Sequence, residues 1–292
     1  MAVVAAIMGR NLRLFFRDRM NVFFSLLAAL IVFLLYALFL GNLQTESIAA
    51  SFPQADAGDA RAFVDSWMFA GVVALTAMTT SLGALAVFVD DAASGRFRDF
   101  LVSPLKRWQL VFGYLLATVV ISLIMTVIVL AVSLAYLFFV DGVTLSIDEI
   151  GRTLAWIALT CLAFAALWAF IASFLRTTGA FAALSTIVGT LIGFLAGAFI
   201  AVGLFPDGVR NAVNALPFAQ ATTLLRREFT GETLSTLVGG NQEAIDALGE
   251  FYGVTAVIGE WEVTVPFVLA VLVSLTIALS ALAAWRIRGR IA

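Results

Sequence analysis

The residues best suited to chemistry stand in one polar segment, residues 90–108, which separates two long apolar stretches of the sequence. Its apolar side chains recur at i, i+3 and i+4, a spacing that predicts a short amphipathic helix. These side chains are Phe97, Phe100 and Leu101. Arg96 and Asp99 fall on other faces of that helix, where their charges can meet a partner protein. Because complementary charges select a partner and its register, the segment is a candidate docking surface.

Two residues near the end of this segment predict that another helix starts there. Ser103 is a favoured N-cap residue, and Pro104 suits the first position of a helix. We therefore expect a short helix that projects into the cytoplasm, a turn, and then a long spanning helix. Such a projection gives a soluble motor protein a surface to push against.

The chemistry that the sequence lacks is also informative. It contains no histidine, and its lysine, Lys106, follows no glycine-rich loop. A phosphate-binding loop needs Gly-x-x-x-x-Gly-Lys-Ser/Thr, so the chain is not itself an ATPase of that kind. No Asp, Glu, Lys or Arg lies deep inside a long apolar run, where ion-coupled carriers usually need one. We expect no catalytic residue, no metal site, no bound cofactor and no nucleic-acid partner, with energy supplied by another chain.

The composition predicts that a membrane holds these elements in place. Hydrophobic residues make up 62% of the chain and charged residues 12%, with a mean hydropathy of +1.06. Soluble domains contain about 25% charged residues. Six apolar runs are long enough to span a bilayer. They are approximately Val22–Leu40, Trp67–Val89, Leu110–Val140, Leu154–Leu175, Ala180–Phe205 and Thr264–Trp285. The expected fold is an all-α integral membrane protein, with residues 1–292 forming one transmembrane domain.

The distribution of positive charge predicts the orientation. Most of the 17 Lys and Arg residues fall in the N-terminal segment, in residues 90–108, at Arg176 and at the C-terminus. The positive-inside rule places these segments in the cytoplasm. An even number of spans agrees with two cytoplasmic termini. We expect a multi-pass protein of the bacterial inner or plasma membrane, in contact with membrane lipid.

Residues 1–21 predict an amphipathic helix before the first span. At about 100° per residue, three arginines share one face and four apolar residues share the other. The arginines are Arg10, Arg13 and Arg17, and the apolar residues are Met8, Leu12, Phe15 and Phe16. This pattern is typical of a helix that lies in the membrane interface. An ordinary basic flank of the first span is the simpler alternative.

Residues 206–262, between the last two spans, are expected on the extracytoplasmic side. Their moderately apolar part, Ala212–Leu225, is too short and too polar to cross the bilayer. It predicts a re-entrant or surface-lying helix pair, with Pro217 breaking or restarting the helix. A plain extracellular loop is the alternative.

The polar segment after the second span resembles the signature of the ABC-2 class of exporter permeases. In that class an acidic residue, a glycine, a second acidic residue and a Thr/Ser-Pro pair follow the second span. The matching residues are Asp90 or Asp91, Gly95, Asp99 and Ser103-Pro104. The sequence departs from the pattern in having Asp where Glu is usual and Arg96 where Thr is common.

A weaker similarity to the same class lies before the last span, in residues 216–231. The class often has a proline, an apolar stretch, an arginine and a glycine there. The corresponding residues are Pro217, Arg226 and Gly231. Together with the six spans and the N-terminal helix, the resemblance covers nearly the whole chain.

The resemblance implies partners and a mechanism. Permeases of this class pair with a second permease, identical or paralogous, and each engages an ATP-binding subunit through the loop between spans two and three. ATP and Mg are then bound by that partner ATPase, whose closure alternates the pathway between inward and outward states. The implied coupling residues are Asp90, Asp91, Gly95, Arg96, Phe97, Asp99, Phe100, Ser103 and Pro104.

Small and polar residues form stripes on two predicted spans. The stripe on span two comprises Thr76, Thr79, Thr80 and Gly83, and that on span five comprises Ser185, Gly189, Gly193 and Gly197. Such stripes let helices approach closely in lipid. On span two the stripe fits packing inside one subunit, a dimer interface or the lining of the pathway. On span five the resemblance favours the dimer interface or the pathway, because the class places that span near the two-fold axis.

The uncharged spans favour an amphipathic or hydrophobic cargo, such as a drug, an antimicrobial peptide or a lipid. One alternative is a permease for polysaccharides or lipid-linked carriers, although conduits for sugars often present stacked aromatic rings and the aromatic residues here are scattered. A membrane sensor or scaffold that transports nothing is another. The missing histidine and the lack of deep carboxylate pairs disfavour an intramembrane enzyme.

Overall fold

The computed structural model describes residues 2–53, 55–96 and 107–290, and these ranges are mostly helical. In chain order the helices are α1 (Ala2–Arg17), α2 (Arg19–Leu35), α3 (Gly41–Ser51), α4 (Ala57–Gly83), α5 (Ala86–Ala93), α6 (Arg107–Tyr136), α7 (Ile147–Ala172), α8 (Thr178–Leu195), α9 (Asp207–Ala215), α10 (Pro217–Leu237), α11 (Gln242–Tyr252) and α12 (Val265–Arg290). Turns of π-helix, Tyr36–Leu40 and Leu137–Asp141, follow α2 and α6. The strands β1 (Val257–Ile258) and β2 (Trp261–Glu262) form a short antiparallel hairpin.

Six helical stretches in the described ranges are long and apolar enough to cross a membrane. They are Arg19–Ser51, Ala57–Ala93, Trp108–Asp141, Ile147–Ala172, Thr178–Leu195 and Val265–Arg286. The predicted all-α membrane fold and its six spans are confirmed. Large apolar side chains point outward along these helices, as at Leu38, Phe139 and Trp285. An apolar exterior of this extent is what contact with lipid requires.

The second span is the longest and lies at the centre of the bundle. It has 37 residues, or about 55 Å at 1.5 Å per residue, so it extends well beyond the roughly 30 Å of a hydrocarbon core. Its first part, α4, is buried along most of its length and packs against α2, α6, α7 and α10. Residues on this helix are therefore placed to connect the two ends of the molecule.

The fifth span is shorter than predicted, because α8 ends at Leu195 and does not continue to Phe205. Gly197 adopts the left-handed conformation with φ of +64°. The N–H of Ala198 then donates to the carbonyl of Gly193 at 2.7 Å, as in a Schellman motif that closes a helix. The predicted stripe on span five therefore loses Gly197, which terminates the helix.

The N-terminal helix α1 is observed, but it buries a different face from the predicted one. Its buried residues are Val4, Ile7, Asn11 and Phe15, so of the predicted apolar face Phe15 alone is buried and Phe16 is exposed. Close packing against α6 explains why this face of α1 is the buried one. A Cβ atom added to Gly113 of α6 would lie 2.7 Å from Ile7 of α1. The last residues of the predicted 1–21 helix belong instead to the first turn of α2, which Asp18 caps.

The region before the last span contains the predicted helix pair, α9 and α10, rather than a plain loop. Pro217 restarts the chain as the first residue of α10, after Leu216 in an extended conformation. Phe218 at this start packs on Phe164, with ring centroids 5.1 Å apart, while Glu228, further along α10, accepts from Trp156 at 3.0 Å. Because Trp156 precedes Phe164, α10 runs antiparallel to α7 and packs into the bundle.

Candidate coupling site and groove

Asp91 is the centre of a buried charge cluster at the root of the polar segment. Its residue is 0% exposed, yet its carboxylate receives two bonds from Arg10, at 2.7 and 3.2 Å. Arg96 donates a further bond at 3.1 Å, and the Tyr114 hydroxyl donates another. The carboxylate thus holds α1, α5 and α6 together. We call Asp91, Arg10, Arg96 and Tyr114 the Asp91 cluster.

The electrostatics of the Asp91 cluster explain why a charge is tolerated there. A buried carboxylate is costly unless it is paired and its lone pairs are filled. Two guanidinium groups and a phenol meet both conditions. In return, the hydrogen bond from Arg10 to Asp91 raises the pKa of Arg10. Arg10 therefore stays a cation through the physiological pH range.

The predicted coupling residues differ in where they point. Asp90 is exposed and Asp91 is enclosed, so only the first of the two carboxylates is accessible from outside the subunit. Gly95 is left-handed with φ of +75° and has open space around it, which means that the backbone conformation, not crowding, favours glycine there. Arg96 is exposed over 58% of its side chain although it is tied to Asp91. The remaining predicted coupling residues, Phe97, Asp99, Phe100, Ser103 and Pro104, lie outside the described residues.

Two members of the Asp91 cluster were not identified from the sequence as site residues. The sequence predicts only that Arg10 lies on the polar face of α1, and Tyr114 falls within the third predicted span. Arg10 and Asp91 are 81 positions apart. The only local signal was a polar side chain, that of Tyr114, within the first turns of an apolar helix. The sequence positions of Arg10 and Tyr114 do not indicate that Asp91 is their partner.

A groove between α2, the second span and α8 is the candidate substrate surface. Its volume is about 170 Å³. The described residues that line it carry no charge; they are Asn21, Phe24, Ser25, Ala28, Thr79, Leu82, Gly83, Ala86, Phe181, Ser185, Val188 and Gly189. A cleft of about 600 Å³, which also includes Arg17, Asp18, Asp90 and Arg96, adjoins the groove and shares Asn21, Phe24 and Ala86 with it. The surface therefore passes from a charged mouth to an apolar channel.

The threonine stripe of span two divides between the core and this groove. Thr76 and Thr80 are fully buried and donate to carbonyls of their own helix. Thr79 instead lies in the groove, where its hydroxyl is 2.9 Å from the Leu75 carbonyl and 3.2 Å from the Ser25 carbonyl of α2. Thr76 and Thr80 thus serve packing within one subunit, and Thr79 reaches the candidate pathway.

The stripe of span five is also divided. Ser185 and Gly189 line the groove, and nothing lies within 4 Å of a Cβ atom built on Gly189. The ring of Phe199 lies directly over Gly193, so Gly193 is covered by its own chain. Only the first two members of the stripe are open to a substrate or a second subunit.

Arg226 joins the end of span five to the region before the last span. It is 1% exposed, and its Nη2 donates to the Gly197 carbonyl at 2.6 Å. Its guanidinium lies 4.6 Å from the ring centroid of Trp67, a cation–π contact that is strong when desolvated. Burial lowers the pKa of Arg226 to about 9, so it stays a cation at neutral pH. Pro217 and Arg226 thus start and anchor α10.

The segments predicted to be cytoplasmic gather at one end of the bundle. Arg10 of α1 meets Asp91, and Arg286 of α12 lies 3.8 Å from the ring centroid of Phe174. Phe112 and Trp285 line one apolar groove of about 580 Å³ between α6, α7 and α12. Among the described residues, α1, the root of the polar segment at Asp91, the end of α7 and the last turns of α12 therefore lie on the same side.

A family model described as ABC-2 type transporter matches residues 2–229. The chain matches no curated protein. The matched range includes α1, the Asp91 cluster, the groove and the first half of α10.

Proposed function

The chain belongs to the ABC-2 type transporter family and is a membrane component of an ABC transporter; from that premise we propose that it is the permease subunit of an ATP-driven exporter of amphipathic or hydrophobic substrates. A separate ATP-binding subunit holds ATP and Mg and supplies the energy. The cargo is of the class that includes drugs, antimicrobial peptides and lipids.

The observation that carries this proposal is the chemistry of the groove between α2, the second span and α8. Its described lining is uncharged and largely apolar, while Arg17, Asp90 and Arg96 stand at its mouth. An amphipathic molecule can place its apolar part in the groove and its polar head among these charges. A small hydrated ion would find no charged group along this described lining, so the cost of removing its water would be poorly compensated.

The coupling surface is proposed at the root of residues 90–108. Asp90 and Arg96 are exposed there, and Asp91 connects this root to α1 and α6. A push on the polar segment by the ATPase would therefore reach the N-terminal helix and the third span together. Phe97, Asp99, Phe100, Ser103 and Pro104 are proposed to complete the contact.

A second permease, identical or paralogous, is proposed to pack near α8. This helix exposes Ile187, Leu191 and Phe194 beside the open Gly189, and small residues flanked by large ones favour helix association in lipid. We place the protein in the cell membrane with both termini in the cytoplasm. The positive charge of the termini and their common position at one end of the bundle support this orientation.

A transport assay tests the proposal. The chain would be reconstituted in liposomes with its ATPase, and ATP-dependent movement of a fluorescent drug, a labelled antimicrobial peptide and a labelled phospholipid would be measured. Gly189→Leu fills the groove and should reduce transport several-fold while leaving the ATPase bound. Gly151→Leu is the matched control, because Gly151 is exposed with nothing within 4 Å of its added Cβ atom. Equal transport by the two variants would exclude the groove as the pathway.

A further inference from the structure

Two buried carboxyl groups lie at the end of the bundle opposite the Asp91 cluster. Asp65, in α4, is 8% exposed, and the side chain of Asp141, at the end of the π turn after α6, is 3% exposed. Arg61 Nε lies 3.6 Å from Asp65 Oδ2 and 3.8 Å from Asp141 Oδ1. Both carboxyl groups therefore meet at the same arginine nitrogen, one from the second span and one from the end of the third. We call Asp65 and Asp141 the carboxyl pair.

The charges of this site do not balance when both carboxyls are ionised. Arg61 supplies one positive charge against two negative ones, and its side chain is 59% exposed. Tyr136 also lies beside Arg61 and supplies no further positive charge. Within the described residues, neither Asp65 Oδ2 nor Asp141 Oδ2 accepts a hydrogen bond, although both atoms are buried. Two buried anionic oxygens without donors are unfavourable.

We propose that Asp65 and Asp141 share one proton and so form a pH-sensitive latch between the second span and the end of the third. One proton brings the carboxyl pair and Arg61 to zero net charge. It also converts one acceptor into a donor, so that the protonated carboxyl donates to the ionised one. This arrangement is the known behaviour of two carboxyls forced into one site.

The proton is the ligand that fits this site best. A bound metal ion would need several oxygen ligands, whereas this site offers two carboxyls with Arg61 already against both. Among the described residues, no group of three or more acidic, histidine or cysteine side chains is arranged to hold a metal ion. Solvent can deliver the proton along the exposed side of Arg61.

The sign of the pH effect follows from proton uptake on folding. In the unfolded chain each aspartate has an ordinary pKa of about 3.9, so neither holds a proton at neutral pH. The folded pair holds one, and stability therefore falls as pH rises and the shared proton is lost. Two ionised carboxyls then repel each other, and the contact between α4 and the end of α6 loosens.

Infrared spectroscopy of the full-length chain in lipid nanodiscs tests the shared proton directly. At about pH 6 an ordinary aspartate is ionised, so a carboxylic-acid C=O stretch at that pH should report the pair. The band should disappear on titration to alkaline pH, and it should be absent from Asp65→Asn and from Asp141→Asn. Asp148→Asn, which changes an exposed carboxyl, should keep it. A wild-type spectrum without the band would overturn the proposal.

Thermal unfolding of the same samples gives an independent readout. The melting temperature of the wild type should fall by several degrees more than that of Asp65→Asn between about pH 6 and about pH 9. A dependence on added calcium and chelator at constant pH, lost in Asp65→Asn, would instead identify a cation site and refute the shared proton. If an Asn variant fails to fold, the wild-type band and its titration decide the question alone.

Discussion

The Asp91 cluster and the carboxyl pair bury the same functional group with opposite charge balance. Asp91 has two arginines and a tyrosine as donors. Asp65 and Asp141 have one arginine between them, and each keeps a buried oxygen that accepts no hydrogen bond from the described residues. One site has donors in excess and the other has acceptors in excess.

The comparison shows how one side-chain type serves two purposes in a membrane bundle. A carboxylate whose lone pairs are all filled is a permanent anion, and it fixes the helices around it. A pair with too few donors must acquire a proton, which makes its contact depend on pH. We therefore expect a rigid, pH-insensitive end of the bundle at Asp91 and a responsive end at Asp65 and Asp141.

The largest expected effect comes from removing the centre of the saturated site. Asp91→Ala leaves Arg10, Arg96 and Tyr114 without their common acceptor and should cost about 3–5 kcal/mol of stability. Denaturant unfolding of the purified chain in detergent measures this loss. Asp90→Ala, at the exposed neighbouring carboxyl, should unfold almost as the wild type does. Comparable losses in the two variants would show that burial of Asp91 does not matter.

A smaller effect should follow from removing one donor of that site. Tyr114→Phe deletes a hydrogen bond to a charged acceptor, which contributes about 1.5–3 kcal/mol. Tyr252→Phe is the matched control, because its hydroxyl donates to the neutral Gln44 amide at 3.1 Å and such a bond is worth about 0.5–1.5 kcal/mol. The same unfolding assay ranks the two. A reversed order would argue that Asp91 does not carry a full negative charge.

The smallest effect is expected at the responsive site. Arg61→Gln removes a half-exposed cation, so its loss should cost at most about 1 kcal/mol at neutral pH. It should also make the shared proton harder to remove, which an infrared titration would detect as a more alkaline loss of the band. Arg152→Gln, at an ion pair 2.9 Å long and similarly exposed, should match the stability loss without moving the band. If Arg61→Gln lost as much stability as Asp91→Ala, the proposed difference between the two sites would be wrong.

Much of the architecture was predictable because it depends on local rules. The six spans follow from the length of apolar runs, and the start of α10 follows from Pro217. One wrong prediction is also local in origin, the length of span five. Span five was extended past Leu195 because apolar residues continue to Phe205, although Gly197 ends the helix.

The candidate sites were predictable only in part. The polar segment was identified from its charges, and the stripe of span five from its spacing. The sequence pattern did not reveal that Phe199 covers Gly193 or that Asp91 is enclosed. Gly193 is covered because the chain turns back at Gly197, and Asp91 is enclosed by Arg10 and Tyr114 from two other helices.

The sequence by itself determined the membrane environment, the number of spans and the places where helices start, because composition, periodicity and capping act over a few neighbouring residues. Only the tertiary structure decided which charges meet. Arg10 reaches Asp91 across 81 positions, and Asp65 meets Asp141 because the first turns of the second span lie beside the end of the third. Helix periodicity predicts which face of a helix is polar. Which residues contact that face depends on how the helices pack. The charge balance that separates a fixed site from a responsive one therefore exists only in the folded bundle.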